Sequence, residues 1–121
     1  MSDRISWVEN TEVTLIRIEL YSVVIEALSL DTGDRVSIDI NSDFKVYFSG
    51  ELSKYDVVKH HGSLPILWNL IGMSIVSVKF DQNALEIELN DGVRISVELK
   101  VGKLEQVSFR RTKPDTLEHL P

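Results

Sequence analysis

Strict alternation of apolar and polar residues is the feature that most constrains the fold of this chain. Apolar side chains occupy every second position of residues 93–99 and again of residues 85–89, with polar side chains between them. This period of two is typical of strands with one buried face. Asn90-Asp91-Gly92 separates the two segments and supplies residues that tolerate the positive φ of tight turns. The sequence therefore predicts a β-hairpin over residues 85–99.

The same pattern predicts a second hairpin upstream. Residues 36–40 alternate in the same way, and residues 28–30 precede the turn Asp31-Thr32-Gly33-Asp34. The apolar positions of residues 23–25 have the opposite parity to those of residues 28–30. One extra residue in the strand would explain this change, so a β-bulge is predicted near Glu26-Ala27.

The rest of the chain completes a mainly β prediction. Four further strands are predicted, over residues 13–20, 44–48, 75–80 and 104–109. With the hairpins this makes about eight strands, as in all-β sandwiches and barrels. Ser63 is a candidate N-cap, Pro65 suits a first helical turn and Gly72 suits a helix end. We expect two related antiparallel β-units that form a sandwich or a partly open barrel, with one short helix near 64–71.

The two hairpins also suggest an internal repeat. At one constant spacing along the chain, Val36 maps onto Ile95 and Ile38 onto Val97, and the turn glycines Gly33 and Gly92 coincide as well. Alternation alone superimposes any two amphipathic hairpins, so a duplication and a chance match both stay open. A duplication would give two similar units, over residues 13–48 and 72–109.

Length and composition describe one domain. The chain has 121 residues, of which 43% are hydrophobic and 26% charged, as in ordinary globular proteins. We expect a single domain over residues 1–121, in which the polar residues 112–121 form a loose tail. The chain has no cysteine, which excludes disulfides, a thiol nucleophile and cysteine-based metal sites.

Charge narrows the class of partner. The chain carries 13 Lys and Arg against 19 Asp and Glu, a net charge of −6. An acidic surface repels phosphate backbones, so we expect no nucleic-acid partner, and it attracts basic proteins. The longest apolar stretch is interrupted by Arg17, Glu19 and Glu26, so no membrane span is expected. The first residues do not resemble a signal peptide, and we expect a cytoplasmic protein.

One short motif suggests an enzyme. Asp31-Thr32-Gly33 after an apolar strand resembles the active loop of retroviral-type aspartic proteases, and Leu70-Ile71-Gly72-Met73 resembles another segment of that family. The resemblance implies a homodimer in which two copies of Asp31 share a proton and activate water. Asp34 departs from the family, which has a small residue there, and no glycine-rich flap follows. The alternative is a hairpin turn in which Asp and Gly supply local hydrogen bonds and a positive φ.

Other chemistry finds little support in the sequence. His60 and His61 are adjacent, so on an extended chain they point to opposite faces, and Asp56 would join His60 at a metal only on a helix. Glycine-rich phosphate-binding motifs are absent. We therefore expect no metal and no cofactor. Trp7, among polar neighbours, suits a covering residue or a partner contact.

A longer pattern consists of Leu70-Ile71-Gly72, of Val76 and Val78, and of the alternating hairpin of residues 85–97. With this pattern, the chain resembles over most of its length small bacterial β-rich proteins of the immunity type, which are encoded beside polymorphic or contact-dependent inhibition toxins. The resemblance implies a non-enzymatic protein that neutralises a basic toxin domain by occluding its active cleft. A small structural or assembly domain with exposed strand edges is a further alternative.

Carboxylates that replace nucleic-acid phosphates would make the contact with such a toxin. The candidates fall on the two predicted hairpins: Glu86, Glu88, Asp91 and Glu98 on one, and Asp31, Asp34 and Asp39 on the other. The sequence does not choose between these two patches, and it leaves the oligomeric state open.

Overall fold

The computed structural model describes residues 3–56, 65–100, 106–112 and 115–120, and the side chains of residues 6–56, 67–100 and 106–112 among them. This part of the chain is mainly β, as predicted, with ten antiparallel strands. The strands are β1 (Thr11–Glu19), β2 (Ser22–Ser29), β3 (Arg35–Ile40), β4 (Phe44–Phe48), β5 (Glu51–Tyr55), β6 (Ser74–Phe80), β7 (Ala84–Leu89), β8 (Arg94–Glu98), β9 (Val107–Thr112) and β10 (Asp115–Leu120). Three short 3₁₀ helices, Asp3–Val8, Pro65–Leu70 and Asn90–Gly92, are the helical elements of the described residues.

All ten strands lie in one open sheet, in the order β10-β9-β3-β2-β1-β6-β7-β8-β4-β5. The chain forms two three-stranded meanders, β1–β3 and β6–β8, and a hairpin follows each of them. Each hairpin pairs with the meander from the other half of the chain, because β4 pairs with β8 and β9 pairs with β3. We call β1–β3 with β9–β10 the first half-sheet, and β6–β8 with β4–β5 the second half-sheet.

The two half-sheets meet at β1 and β6, which share two residue pairs. Two hydrogen bonds reinforce this short contact reciprocally: the Asn10 N–H donates to the Ile75 carbonyl at 2.7 Å, and the Gly72 N–H donates to the Val13 carbonyl at 2.8 Å. Asn10 and Gly72 both have a positive φ, of 65° and 93°. A residue of positive φ that donates its N–H to the other meander therefore precedes the first strand of each meander.

The meanders also share their register. The Val13–Ala27 pair of β1 and β2 corresponds to the Ile75–Leu89 pair of β6 and β7, because both partners are displaced by the same distance along the chain. A register shift follows Val13 in the first meander and Ile75 in the second. Equivalent bulges at equivalent positions mean that the two meanders are built on one plan.

The later strands correspond as well, each at a spacing of its own. Strand β3 matches β8, with Ile38 equivalent to Ile95, and β4 matches β9, with Val46 equivalent to Phe109. The structure therefore does not place Val36 on Ile95, as the sequence comparison of the hairpins did. The spacing changes within the hairpins because the β2–β3 connection is longer than the β7–β8 connection. Descent of the two units from a duplication stays a prediction.

One face of both half-sheets contributes to a single hydrophobic core. Its largest fully buried side chains include Ile25, Ile38, Tyr55, Leu85, Ile87 and Phe109. Val8 and Leu70 end the first two 3₁₀ helices and are also fully buried, so both helices pack into this core. The outward positions are mostly polar, as the period of two predicts.

The β-bulge predicted near Glu26-Ala27 lies in the neighbouring strand instead. In β2, Val23, Ile25 and Ala27 are all buried and keep one parity, whereas Leu30 is 71% exposed. The extra residue is Thr14 of β1, where the β1–β2 register shifts. The apolar pattern was misleading because the small Ala27 occupies the core while a larger leucine lies outside it.

The helix predicted near 64–71 forms as the 3₁₀ helix Pro65–Leu70, and the candidate N-cap Ser63 lies outside the described residues. The three-residue period of this helix places Leu67 and Leu70 in the core and leaves Trp68 47% exposed. Among the described residues, no helix has the length and apolar character needed to cross a membrane.

The structure adds two strands that the sequence analysis does not predict, β5 and β10. Strand β5 follows a two-residue turn, Ser49-Gly50, in which both residues have a positive φ. Strand β10 pairs with β9 from Asp115 to Leu120, so the predicted loose tail is wrong for that segment. Both strands lie at sheet edges, where backbone pairing to one neighbour requires little apolar patterning.

Candidate functional site

A recess of about 200 Å³ lies where the first 3₁₀ helix, the β2–β3 connection and β9 meet. Among the described residues, its lining combines an indole, three carboxylates and a guanidinium with smaller groups: Trp7, Glu9, Asn10, Ser29, Asp31, Thr32, Asp34, Val36 and Arg111. Asp31 and Asp34 are two of the seven carboxylates that the sequence analysis proposes as partner contacts. The structure brings these two together and separates them from most of the others.

The long β2–β3 connection supplies the acidic side of the recess. The hairpin extends beyond the paired residues Ala27 and Val36: Leu28 pairs with Arg35, and residues 30–34 form the connection. In the second half-sheet only residues 90–92 lie between Leu89 and Val93, which are joined because the Leu89 N–H donates to the Val93 carbonyl. The acidic turn is therefore an addition to the plan that the two half-sheets share.

Local hydrogen bonds hold this turn in place. The Gly33 N–H donates to the Ser29 carbonyl at 2.8 Å, and the Asp34 N–H donates to Thr32 Oγ1 at 3.2 Å. Gly33 has a φ of 77°, which side chains strongly disfavour. Asp31-Thr32-Gly33 thus forms an exposed hairpin turn. Pairing of two copies of Asp31 in a protease dimer stays a prediction.

The floor of the recess contains a cation–π contact between distant parts of the chain. The Arg111 guanidinium lies 5.1 Å from the centre of the Trp7 ring. Trp7 is half-buried and packs against the core, which suits the covering role considered for it from the sequence. At the equivalent positions the second half-sheet has Asn69 and Phe48, so the indole–guanidinium pair is particular to the recess.

The carboxylates of the recess differ in how they are held. Glu9 Oε2 accepts a hydrogen bond from the Val78 N–H at 2.9 Å, which ties this residue to β6. Within the part of the chain that the structure describes, the side chains of Asp31 and Asp34 form neither an ion pair nor a hydrogen bond. These two carboxylates can therefore meet a cation from outside the molecule.

Glu86 and Glu88 lie on the outer face of the second half-sheet, among basic neighbours. Glu86 is opposite Lys79 on β6, and Glu88 is opposite Arg94 on β8. Arg94 also stacks on the ring of Tyr47, at 4.6 Å from its centre. The signs of charge are mixed on this face, so it is less suited to a basic partner than the sequence suggested.

The remaining candidates of that hairpin lie apart from each other. Glu98 lines a second pocket, of about 410 Å³, on the outer face of the second half-sheet. Asp91 is exposed in the short turn after β7 and has a φ of 63°. Glu86, Glu88 and Glu98 share the outer face with Lys79 and Arg94, and the role of this hairpin's four carboxylates as partner contacts stays a prediction.

Asp39 lies in β3 on the outer face of the first half-sheet, within a polar network. Its Oδ1 is buried without a hydrogen-bond partner among the described residues. Burial raises the pKa of the Asp39 carboxyl, and the charge of Glu19 raises it further, whereas a hydrogen bond with Ser22 lowers it. Arg17 binds Glu19 at 2.8 Å and Glu26 at 2.7 Å. Asp39 therefore belongs to a partly exposed polar network on this face, and its role as a partner contact stays a prediction.

Metal ligation receives no support from the described residues, among which no group of three or more His, Asp or Glu side chains could hold an ion. His60 and His61, the histidines weighed as ligands from the sequence, lie outside the described residues.

Sequence reasoning missed two members of the recess, Glu9 and Arg111. Glu9 follows the first 3₁₀ helix, which has no apolar periodicity long enough to be noticed. Arg111 reaches Trp7 only because β9 crosses to the first half-sheet, which is a long-range pairing. The sequence offered two signals for this site: the acidic turn of residues 31–34, and Trp7 among polar neighbours in another part of the chain.

Comparison of the chain with models of protein families, with curated protein sequences and with solved structures finds no match in any of the three.

Proposed function

We propose that this protein is a non-enzymatic, cytoplasmic protein-binding domain that acts as an immunity or inhibitor protein. It neutralises a toxin by occluding a basic active cleft. The observation that carries the proposal is the recess at Trp7, where Asp31 and Asp34 present carboxylates that have no cationic partner among the described residues. The net charge of −6 supports attraction of a basic partner over a distance.

The size of the recess favours a protein partner over a small molecule. Small-molecule sites usually enclose about 300–1,000 Å³, and the recess encloses about 200 Å³. A space of that size accommodates one long side chain. Insertion of a lysine or arginine side chain beside Trp7 would give the kind of desolvated anchor that dominates protein interfaces.

The hydrogen bonds that hold the acidic turn support the same proposal. Its hydrogen bonds at Ser29, Thr32 and Gly33 restrict the turn before a partner arrives. Carboxylates on a restricted turn lose less conformational entropy on binding than carboxylates on a free loop. Such a turn suits an inhibitor, which must bind its target tightly.

The test is affinity capture from a lysate of the source organism, at low and at high salt, with the partner identified by mass spectrometry. Wild type is compared with the double variant Asp31→Asn, Asp34→Asn and with a matched control, Glu86→Gln, Glu88→Gln, which removes the same charge elsewhere. We expect one basic protein in stoichiometric amount, which salt weakens. With both components purified, we expect at least tenfold weaker binding for the Asp31/Asp34 variant, unchanged binding for the control, and inhibition of the partner's toxic activity by wild type.

Equal binding by wild type and by the Asp31/Asp34 variant would contradict the proposed site. Recovery of nothing but a second copy of the chain would contradict the proposed function. In that case a peptide-cleavage assay with Asp31→Asn as the control tests the aspartic-protease alternative.

A further inference from the structure

The larger pocket, of about 410 Å³, lies on the outer face of the second half-sheet and is separate from the recess. Two small side chains, Ala84 and Ser96, line it, and Glu98 is directly opposite Ala84. The described residues that line it are Asp43, Phe44, Lys45, Lys54, Tyr55, Asp56, Ala84, Ser96 and Glu98. The volume falls within the range of small-molecule sites.

Two lysines on neighbouring strands line this pocket. Lys45 of β4 and Lys54 of β5 are directly opposite in register, and both are exposed. Like charges directly opposite on neighbouring strands are destabilising. Within the described part of the chain, neither ammonium group has an ion pair or a hydrogen bond. By contrast, Lys79 on the same face is opposite Glu86.

A hydroxyl completes the row of donors. Ser96 of β8 is directly opposite Lys45, so Ser96, Lys45 and Lys54 follow one another across three neighbouring strands. A hydroxyl and two ammonium groups are donors that suit a phosphate or carboxylate oxygen. An anion bound between the lysines would also remove the repulsion between them.

The first half-sheet shows that the shared plan does not require this arrangement. The positions equivalent to Ser96 and Lys45 are Asp39 and Ser108, which are themselves opposite each other in β3 and β9. In the first half-sheet, the corresponding row of residues across the strands therefore contains a carboxylate, that of Asp39, in place of a hydroxyl. The lysine pair and its pocket are therefore particular to the second half-sheet.

We infer that this pocket binds a small zwitterionic molecule that carries a phosphate or carboxylate group beside an amine. Lys45, Lys54 and the Ser96 hydroxyl hold the anionic group. The carboxylate of Glu98, at the edge of the same pocket, faces the amine. This site does not depend on the proposed inhibitor function, since it lies on the other half-sheet.

The test is titration of the full chain with O-phosphoethanolamine, followed by the backbone amide signals in NMR. We expect the amides of Lys45, Lys54 and Ser96 to shift, with a dissociation constant in the millimolar range or below, and ethanolamine alone to leave them unshifted. Lys45→Gln, Lys54→Gln should weaken binding at least tenfold, and Lys54→Gln alone by a smaller factor. The matched control Lys79→Gln should stay within twofold of wild type.

A thermal readout keeps this test independent of signal assignment. O-phosphoethanolamine should raise the melting temperature of wild type and of Lys79→Gln, but not that of the double lysine variant. Absence of any shift, equal binding by the double lysine variant, or an equal loss in Lys79→Gln would overturn the inference.

Discussion

The first and second half-sheets share a plan and differ in what they present to the outside. Both begin with a 3₁₀ helix and a residue of positive φ, both have a bulge at the same place in the first strand, and both are completed by a hairpin from the other half of the chain. The first half-sheet adds the acidic recess at Trp7. The second has a short turn in that place and carries the lysine-lined pocket on its outer face.

This comparison separates the frame of the molecule from its functional surfaces. Features common to both half-sheets are explained by the requirements of folding, because each half-sheet needs a covered core and a satisfied junction with the other. Features found in one half-sheet have no such explanation. We therefore assign function to the features that only one half-sheet has. Substitutions test this assignment, because shared features should matter most for stability and unshared features for binding.

The largest loss of stability is expected for Phe109→Ala in β9. Phe109 is fully buried and is opposite Ile38 of the first meander, so its truncation should cost about 3–5 kcal/mol of the unfolding free energy. Val46→Ala at the equivalent position should cost about 2 kcal/mol, because it removes fewer buried carbon atoms than the loss of the Phe109 ring. Urea unfolding measures both. A loss at Phe109 no larger than that of a surface substitution would mean that β9 does not complete the first half-sheet.

A smaller loss is expected where the two meanders exchange hydrogen bonds. Gly72→Ala places a Cβ on a residue with a φ of 93° and should cost about 1–2 kcal/mol. The matched change Asn10→Gly relieves the same conformation and should alter stability by less than about 0.5 kcal/mol. Thermal unfolding at equal protein concentration compares them. If Gly72→Ala is as stable as wild type, the left-handed backbone at this junction is not required.

Replacement of residues 28–35 by Asn-Asp-Gly gives the first half-sheet the short turn of the second. Loop closure changes by about 0.6 kcal/mol for each doubling of length, so we expect a folded protein whose stability differs by about 1 kcal/mol or less. Its circular dichroism spectrum should match that of wild type, while binding of the captured basic partner is lost. An unfolded protein would show that the acidic turn belongs to the frame. Retained binding would show that the recess is not the contact.

The smallest effect concerns Asp39 and depends on pH. Its carboxyl has a raised pKa in the folded protein, so between the unfolded and the folded pKa the folded state binds more protons. Stability contributed by this group is therefore lost as pH rises from roughly 4 through the folded pKa. Asp39→Asn should be more stable than wild type at pH 7 and should lack this decline, as followed by unfolding at several pH values. The matched variant Ser96→Ala should change stability equally at every pH, and a pH-independent effect of Asp39→Asn would contradict the account.

Sequence patterns predict the interior of this fold better than its margins. Alternation identifies the hairpins β2–β3 and β7–β8, and β4 is predicted with its observed bounds. It misses β5 and β10 because these edge strands depend on backbone pairing with one neighbour rather than on an apolar face. It also misplaces the bulge, because Ala27 in the core is less apolar than Leu30 outside it.

The candidate site was predictable in part. Asp31 and Asp34 could be proposed from a turn in an acidic chain, since turns are exposed. These carboxylates lie in one recess with Trp7 and Arg111 because β9 pairs with β3 of the first meander, and no local sequence pattern predicts that pairing. The mixed charge around Glu86 and Glu88 likewise follows from strand order and register rather than from neighbouring residues in the sequence.

The measurement that tests the central claim most directly is reconstitution of the protein from two separate peptides, residues 1–60 and 61–121. If each half of the chain completes the half-sheet of the other, neither peptide alone has a full half-sheet. The account predicts that the peptides mixed in equal amounts form one complex of 1:1 stoichiometry, with the amide NMR spectrum of the intact chain. A peptide of residues 1–60 that folds alone as a stable monomer, or a mixture that forms no complex, would contradict it.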